Sequence, residues 1–491
     1  MTIPLPAHRS LYYGGAWHDP AAGQFIDTQN PGTGETLAQV AVSGADDVDA
    51  AVAAAQRGFA EWRAVLPLER AKILRRLAQI VRDNAQELAL IDAANCGNPV
   101  REMISDAAIA AAQLDFFAGL VTEMKGASIP MGPDVVNFSV REPLGVVARI
   151  MPFNHPFMFA AGKSAAPLAA GNTVIVKPPD QAPLSALRLA ELTDGLFPAG
   201  VFNVLPGDRA TGAALAAHPG IAMIALIGSV PAGRAVMRAA SDTLKPVLLE
   251  LGGKNALIAY GDSDPDAVAG AVVGGMNFTW CGQSCGSTSR AFIHASIHDA
   301  VNERVRARIA AYKPGIPTDP ATTMGAIVSR VQMERVLDFI DSARREGARL
   351  LCGGARPDDP ALAGGFFVEP TVFADVTPAM RIAREEIFGP VLAILKWTDE
   401  AEMLREVNAV PYGLTCSIWT NDLSRAHRTA MAAQAGFVWI NEVGKHFLGA
   451  PFGGVKQSGF GREECLAELL HFTLEKNIHV RLSPPRRPEA T

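Results

Sequence analysis

Cys285 lies in the segment Cys281-Gly282-Gln283-Ser284-Cys285-Gly286-Ser287, and Glu250 precedes it in Leu249-Glu250-Leu251-Gly252-Gly253-Lys254. A thiol attacks carbonyl carbon only as the thiolate, and an unperturbed cysteine, with a pKa of about 8.5, is only about 3% ionised at pH 7. The two residues read as a nucleophile and a carboxylate that can take its proton and later turn water against a thioester. A lone cysteine is more often a small buried hydrophobe. The glycines and polar residues around Cys285 argue for the reactive reading. Cys281, with no matched second pair, makes a poor zinc site, so no metal is expected. A reversible disulfide between Cys281 and Cys285 is a question of geometry.

The elements that must hold these groups show in the apolar pattern. Val48, Val52, Ala55, Phe59 and Trp62 recur at helical spacing, as do Ile73, Leu77 and Ile80, so two amphipathic helices open the fold. From Val146 onward the pattern changes to short apolar runs stopped by Pro or Gly and followed by helical stretches: Val146–Met151, Thr173–Lys177, Val201–Leu205 and Ile221–Ile227. That alternation predicts an α/β fold with a Rossmann-type, doubly wound parallel sheet. Ligands of such sheets bind beyond the carboxyl ends of the strands, where Asn154, Lys177, Gly207 and Gly228 fall. The uncharged stretch Ala267–Cys281 is too short to cross a membrane and reads as a buried helix leading to the nucleophile. Asp134–Glu142 and Thr473–Leu482 look extended and suit either an oligomerisation arm or an edge hairpin.

Composition narrows the class. The chain has 491 residues, 49% hydrophobic and 19% charged, with a net charge of −6, which suits a soluble enzyme of two or three domains and offers no footprint for nucleic acid or an anionic membrane. Six sparse cysteines point to a reducing compartment, and Met1–Trp17 has no apolar run of a signal peptide, so a cytoplasmic protein is expected. A segment from Leu226 to Arg234, with Gly228, Ser229 and Gly233, sits at a strand-to-helix junction that suits phosphate, although it is not a GxGxxG fingerprint. Lys177-Pro178-Pro179-Asp180 adds a cation and a carboxylate just past a strand, both able to hold ribose hydroxyls. Asp180 would repel a 2′-phosphate, which favours NAD over NADP while leaving NADP open.

These segments, together with Pro152-Phe153-Asn154, Gly282-Gln283-Ser284-Cys285, Glu385-Glu386-Ile387-Phe388-Gly389-Pro390, Pro451-Phe452-Gly453-Gly454-Val455-Lys456 and Ser458-Gly459, resemble the aldehyde dehydrogenase superfamily in order, from about Tyr13 to Ile478. The resemblance implies NAD(P)+-dependent oxidation of an aldehyde to its acid. In that reading Cys285 forms a thiohemiacetal, Asn154 and the Cys285 backbone N–H hold the oxyanion, and a thioacyl-enzyme is hydrolysed with Glu250 as general base. Lys163 and Glu463 match a proton path from that base, although a structural salt bridge explains them nearly as well. Glu386 and Phe388 match residues that position the nicotinamide ribose and ring, and Lys177 with Asp180 the adenosine ribose.

The expected division is a cofactor domain of residues 1–125 and 144–250, a second α/β catalytic domain of 251–447, a small β arm of 126–143 and 471–482, and a disordered tail at 483–491. A homodimer or homotetramer is expected. Departures from common family choices gather at the substrate. Phe153, His155, Gly162, Ser284, Phe447 and Phe452 form the expected pocket, roomy at Gly162 and suited to an aromatic or bulky aldehyde. If His155 and the pair Lys445-His446 face the entrance, they would favour a distal anionic group. The alternatives are a CoA-acylating dehydrogenase, which typically lacks a base at the Glu250 position, a Cys285–His155 hydrolase without redox chemistry, and a structural relative without turnover.

Overall fold

The computed structural model describes residues 3–482. The expected tail at 483–491 lies outside these residues. The chain opens on strands rather than helices: Leu11–Tyr13, Ala16–His18, Phe25–Gln29 and Thr36–Ala41 all precede the first helix. The first two are three residues long, too short for an alternating pattern to stand out. Helices Ala45–Trp62 and Pro67–Asp83 follow. The first buries Val48, Val52, Ala55 and Trp62, and the Trp62 indole N–H donates to the Leu168 carbonyl at 3.1 Å. On the second, the buried stripe is Leu74, Leu77 and Val81, with Ile73 and Ile80 at its margin.

An eight-stranded sheet carries the first half of the chain. Its central strands Val247–Leu251, Met223–Gly228, Val146–Ile150, Thr173–Lys177 and Phe202–Val204 are parallel and stand in that spatial order. Thr173–Lys177 is buried at every position, as a strand covered by helices on both faces must be. A seven-stranded, mostly parallel sheet follows, running from Arg349–Cys352 at one edge through Arg290–His294 and Ala256–Ala259 to Phe437–Ile440 at the other. Each sheet has its own apolar core. The expected long helix before the nucleophile ends at Gly275, because Asn277 and Cys281 take left-handed φ values of 56° and 55° and turn the chain through a short 3-10 segment, Phe278–Trp280.

Val135–Pro143 and Thr473–Arg481 pair antiparallel along their whole lengths, with Ser128–Pro130 as a third strand. Ile129, Val136, Leu474 and Val480 of this small sheet stay exposed.

Strand Val247–Leu251 of the first sheet carries Glu250 and continues through Gly252-Gly253-Lys254 into Ala256–Ala259 of the other sheet, so the carboxylate sits where the two sheets are joined. A short return strand, Gly459–Phe460, closes that edge with Gly459 opposite Glu250. Gly459 has φ of 113°, and a Cβ there would lie 1.9 Å from the Leu249 carbonyl oxygen. Gly459→Ala is therefore expected to destabilise the protein by about 2–4 kcal/mol through backbone strain and displacement of the return strand. Urea denaturation of the two proteins checks this, and equal midpoints would refute it.

Candidate active site

Cys285 is fixed through its backbone. The loop leaves helix Pro265–Gly275 and enters strand Arg290–His294. The Asn255 amide donates to the carbonyls of Cys285 at 2.6 Å and Ser287 at 3.0 Å, and its Oδ1 accepts from the Thr415 N–H at 3.0 Å. Gln283 anchors the other side, accepting from the Val328 N–H at 3.1 Å. Cys285 is intermediate in exposure as a whole residue with its thiol enclosed, whereas Cys281 is buried among the apolar residues of the second core. Burial and the nearby Glu250 and Glu386 carboxylates push the Cys285 thiol well above its ordinary range, and Lys163 offsets part of that. The raised value favours the protonated thiol over the thiolate at Cys285.

Glu250 is buried, and its Oε1 has no partner within the described residues. Burial raises its pKa well above the ordinary carboxylate range, and Glu463 adds to the rise. Behind it lies a buried charge cluster. Lys163 Nζ is 2.9 Å from Glu463 Oε2 and 3.4 Å from Glu464 Oε1, while Arg149 Nη2 donates to Glu463 Oε1 at 3.2 Å. Glu468 accepts from the Glu464 backbone N–H at 2.7 Å. Its carboxyl is pushed up to about 7 by burial and by Glu463. Glu464 is held down at about 2 despite burial, because Lys163 and His446 face it. Lys163 thus sits between Glu463 and Glu464, with Arg149 on the far side of Glu463. Glu464 also holds a left-handed φ of 65°, a conformation that costs a non-glycine residue about 1–3 kcal/mol and persists only where the surroundings enforce it.

Asn154 follows strand Val146–Ile150, and its carbonyl accepts from the Asn98 amide at 2.6 Å. Its side chain is buried, yet Oδ1 has no partner among the described residues. The hydrogen bonds that hold Asn154 thus leave its amide oxygen uncommitted.

The cofactor candidates gather at the carboxyl ends of neighbouring parallel strands. Lys177 is buried at the end of its strand, donating to the Pro178 carbonyl at 3.1 Å, and burial lowers its pKa against the opposing pull of Asp180 and Asp208. Asp180 is exposed. Ser229 caps helix Val230–Ser241, accepting from the Ala232 N–H at 3.4 Å. A Cβ at Gly233 would meet Leu251 Cδ1 at 2.7 Å, and one at Gly207 would meet Thr211 Oγ1 at 2.1 Å, so both glycines serve close packing beneath the strand ends. Glu386 accepts from the Gly253 N–H at 2.9 Å. Phe388 is held at a left-handed φ of 55° while Gln332 donates to the carbonyls of Ile387 and Phe388 at 3.0 and 2.9 Å. A narrow cleft is lined by Gly253, Ser284, Glu386 and Phe388, joining the Cys285 loop to this side.

The expected pocket residues scatter. Phe153 packs edge-on against Phe388 with ring centroids 5.6 Å apart. His155 is buried, 2.8 Å from Asp106, with its ring against Trp280, and so does not face an entrance. The space beside Gly162 is filled: a Cβ there would lie 2.1 Å from Gln113 Oε1. Phe447 is exposed, whereas Phe452 is buried and packs with His446 at 4.2 Å between rings. Lys445 pairs with Glu442 at 2.9 Å. The sequence reading missed Asn98, Asp106, Gln113, Arg149, Asn255, Gln332, Glu464 and Glu468. A polar side chain beside a motif, as Asn255 stands beside Lys254 and Glu464 beside Glu463, was the available signal for two of them.

The aldehyde dehydrogenase family model matches residues 17–478. Aldehyde dehydrogenase tropH of Talaromyces stipitatus is 51% identical over 97% of this chain and 94% of its own length. The solved structure of PnpE from Pseudomonas sp. WBC-3 superposes with a TM-score of 0.95 at 39% identity, covering 98% of this chain and 99% of that one. An NAD+ complex of aldehyde dehydrogenase from Bacillus cereus superposes at 0.94 with 35% identity, covering 97% of each. The chain belongs to the aldehyde dehydrogenase family and is an oxidoreductase acting on aldehydes.

Because the resting thiol is held above its ordinary range, alkylation of Cys285 by iodoacetamide is expected to keep rising with pH beyond 9 in the free protein. Mass spectrometry of the Cys285 peptide after timed quenching measures it. A plateau below pH 8 would contradict the neutral resting thiol.

Proposed function

We propose that the protein oxidises an aldehyde to the carboxylate with NAD+, through a thiohemiacetal and a thioacyl-enzyme on Cys285, and that Glu250 is the general base of hydrolysis. The observation that carries this reading is the placement of Glu250: a buried carboxyl with a free oxygen, whose charge acts on the Cys285 thiol and which is backed by Lys163 and Glu463. A carboxyl held above its ordinary range is suited to taking a proton near neutral pH.

In the first half of the cycle the Cys285 thiol must lose its proton and its Sγ bonds the aldehyde carbon. The Asn154 amide and the Cys285 backbone N–H hold the resulting oxyanion, and loss of one such donor typically costs about 2.7–4 kcal/mol of transition-state stabilisation. In the second half, water bonds the acyl carbon and the C–Sγ bond breaks, one water proton passing to Glu250. The residues present fit NAD+. Ser229 and the start of its helix suit phosphate, Lys177 and Asp180 suit ribose hydroxyls, and Glu386 with Phe388 forms the wall next to Ser284. The bound nicotinamide would supply the hydride acceptor. Asp180 favours NAD+ over NADP+, and the Bacillus cereus relative, solved with NAD+, supports the same choice.

An aromatic or bulky apolar aldehyde suits the ring cluster of Phe437, Trp439 and Phe452. The exposed apolar side chains of the three-stranded arm suit burial against a second copy in a homodimer or homotetramer. Six free cysteines suit a reducing compartment such as the cytoplasm. Among the described residues no helix is long and apolar enough to cross a membrane.

Stopped-flow measurement of NADH with benzaldehyde tests the mechanism. Glu250→Gln is expected to keep a first-turnover burst and to lose steady-state turnover by about 10²–10⁴-fold. Loss of the burst with turnover unchanged after it would assign Glu250 to thiol activation instead. NAD+ is expected to give a higher kcat/KM than NADP+, and the reverse order would overturn the role of Asp180.

A further inference from the structure

The turn that carries Asn154 lies between strand Val146–Ile150 and helix Pro156–Gly162, and it is pinned from outside its own sheet. Asn98, in the turn between helices Ala85–Cys96 and Val100–Gly119, donates to the Asn154 carbonyl at 2.6 Å. Asp92, on the first of these helices, accepts from the Phe157 backbone N–H at 3.1 Å. Asp106, on the second, lies 2.8 Å from His155 Nδ1, so that ring nitrogen donates and the carboxylate accepts. None of these three bonds uses the Asn154 side chain. They fix the peptide that follows its Cα, and with it the direction in which the amide leaves the chain.

His155 also reaches the other half of the site. Its ring stands edge-on to Trp280, with centroids 4.7 Å apart, and Phe159 packs edge-on against it at 5.7 Å. Trp280 belongs to the turn that ends at Cys285, and its carbonyl accepts from the Gln283 N–H at 3.0 Å. The side chains of the pair are 8% exposed at His155 and 2% at Asp106, so water does not compete for their bond. A charge-assisted hydrogen bond in such surroundings holds a ring in one orientation, which apolar contact alone does not. His155 is thus fastened at one nitrogen to the helix beside the Asn154 turn, while its ring bears on the Cys285 turn.

We propose that His155 and Asp106 are positioning residues of the aldehyde reaction: the bonded pair sets the gap between the Asn154 amide and Cys285, where the oxyanion forms. This rests on the reading of Asn154 as an oxyanion donor. Such a donor acts only within about 2.7–3.1 Å of the developing charge. Misplacement by about 1 Å can cost on the order of 10²-fold in rate, with every reacting group still present.

The test is a double-mutant cycle on kcat/KM for benzaldehyde, in the full-length protein at saturating NAD+. Asp106→Asn, close in shape, is expected to lower kcat/KM about tenfold in the wild-type background, through kcat with KM little changed. In Asn154→Ala, where no amide is left to misplace, the same change should cost less than about twofold. That background keeps a measurable rate, since loss of one oxyanion donor costs about 10²–10³-fold. An equal loss in both backgrounds would overturn the proposal, as would no loss in the wild type. Two replacements of similar volume read the bond itself. His155→Asn, whose amide nitrogen can take the place of Nδ1, should keep several-fold more activity than His155→Leu. Packing alone favours leucine at a buried position, so His155→Leu equalling or exceeding His155→Asn would overturn the pair even if Asp106→Asn failed to fold. Full activity in Asn154→Ala would instead defeat the oxyanion reading, and the positioning role with it.

Discussion

Four buried carboxyl groups, Glu250, Glu463, Glu464 and Glu468, share the interior with the two buried cations Lys163 and Arg149. Taking an ion out of water costs several kcal/mol unless close partners and hydrogen bonds restore what water supplied. Two cations face four carboxyl groups, so the carboxyls differ in how far each is favoured as an anion. Glu250 and Glu468 are the groups raised, and Glu464 is the one held down. The imbalance raises Glu250 above the ordinary carboxylate range in a buried site.

The fold is arranged around that cluster. Arg149 comes from a central strand of the first sheet, Lys163 from the end of the helix Pro156–Gly162, Glu250 from the strand next to the sheet's edge, and the remaining carboxyls from the segment that returns through Gly459–Phe460. Ser458 fastens this segment by donating to the Gly252 carbonyl at 2.7 Å while accepting from the Gly413 N–H at 3.0 Å. Cys285 approaches from the second sheet, held by Asn255 directly after the shared turn. A displacement of either sheet would leave charges without partners, and the penalty for that couples the site's geometry to the stability of the whole.

Much of the first sheet was legible because parallel strands covered on both faces are continuous apolar runs with glycine or proline at their ends, as at Thr173–Lys177. The opening strands were not, being too short to show a period. The helix before Cys285 was overextended, since its apolar composition continues past Gly275 while left-handed φ values at Asn277 and Cys281 turn the backbone. Residue type suggested His155 as a polar contact near an entrance, but Asp106, nearly fifty positions away in the chain, claims it in the interior. Gly162 suggested space, and Gln113 from another helix fills it. Such outcomes depend on which distant side chain arrives, and local pattern carries no trace of that.

Residue types and spacing by themselves determined the family, the parallel-sheet architecture and the identity of Cys285, Glu250 and Asn154 as candidates, because thiol, carboxylate and amide chemistry are properties of the side chains and their motifs are local. Protonation belonged to the tertiary structure. Whether Cys285 rests as thiol, whether Glu250 keeps a proton, and whether Glu464 stays charged beside Lys163 and His446 depend on burial and on charges brought together across some three hundred residues of chain. Those are sums over neighbours in space, and only the folded packing of the two sheets supplies the neighbours.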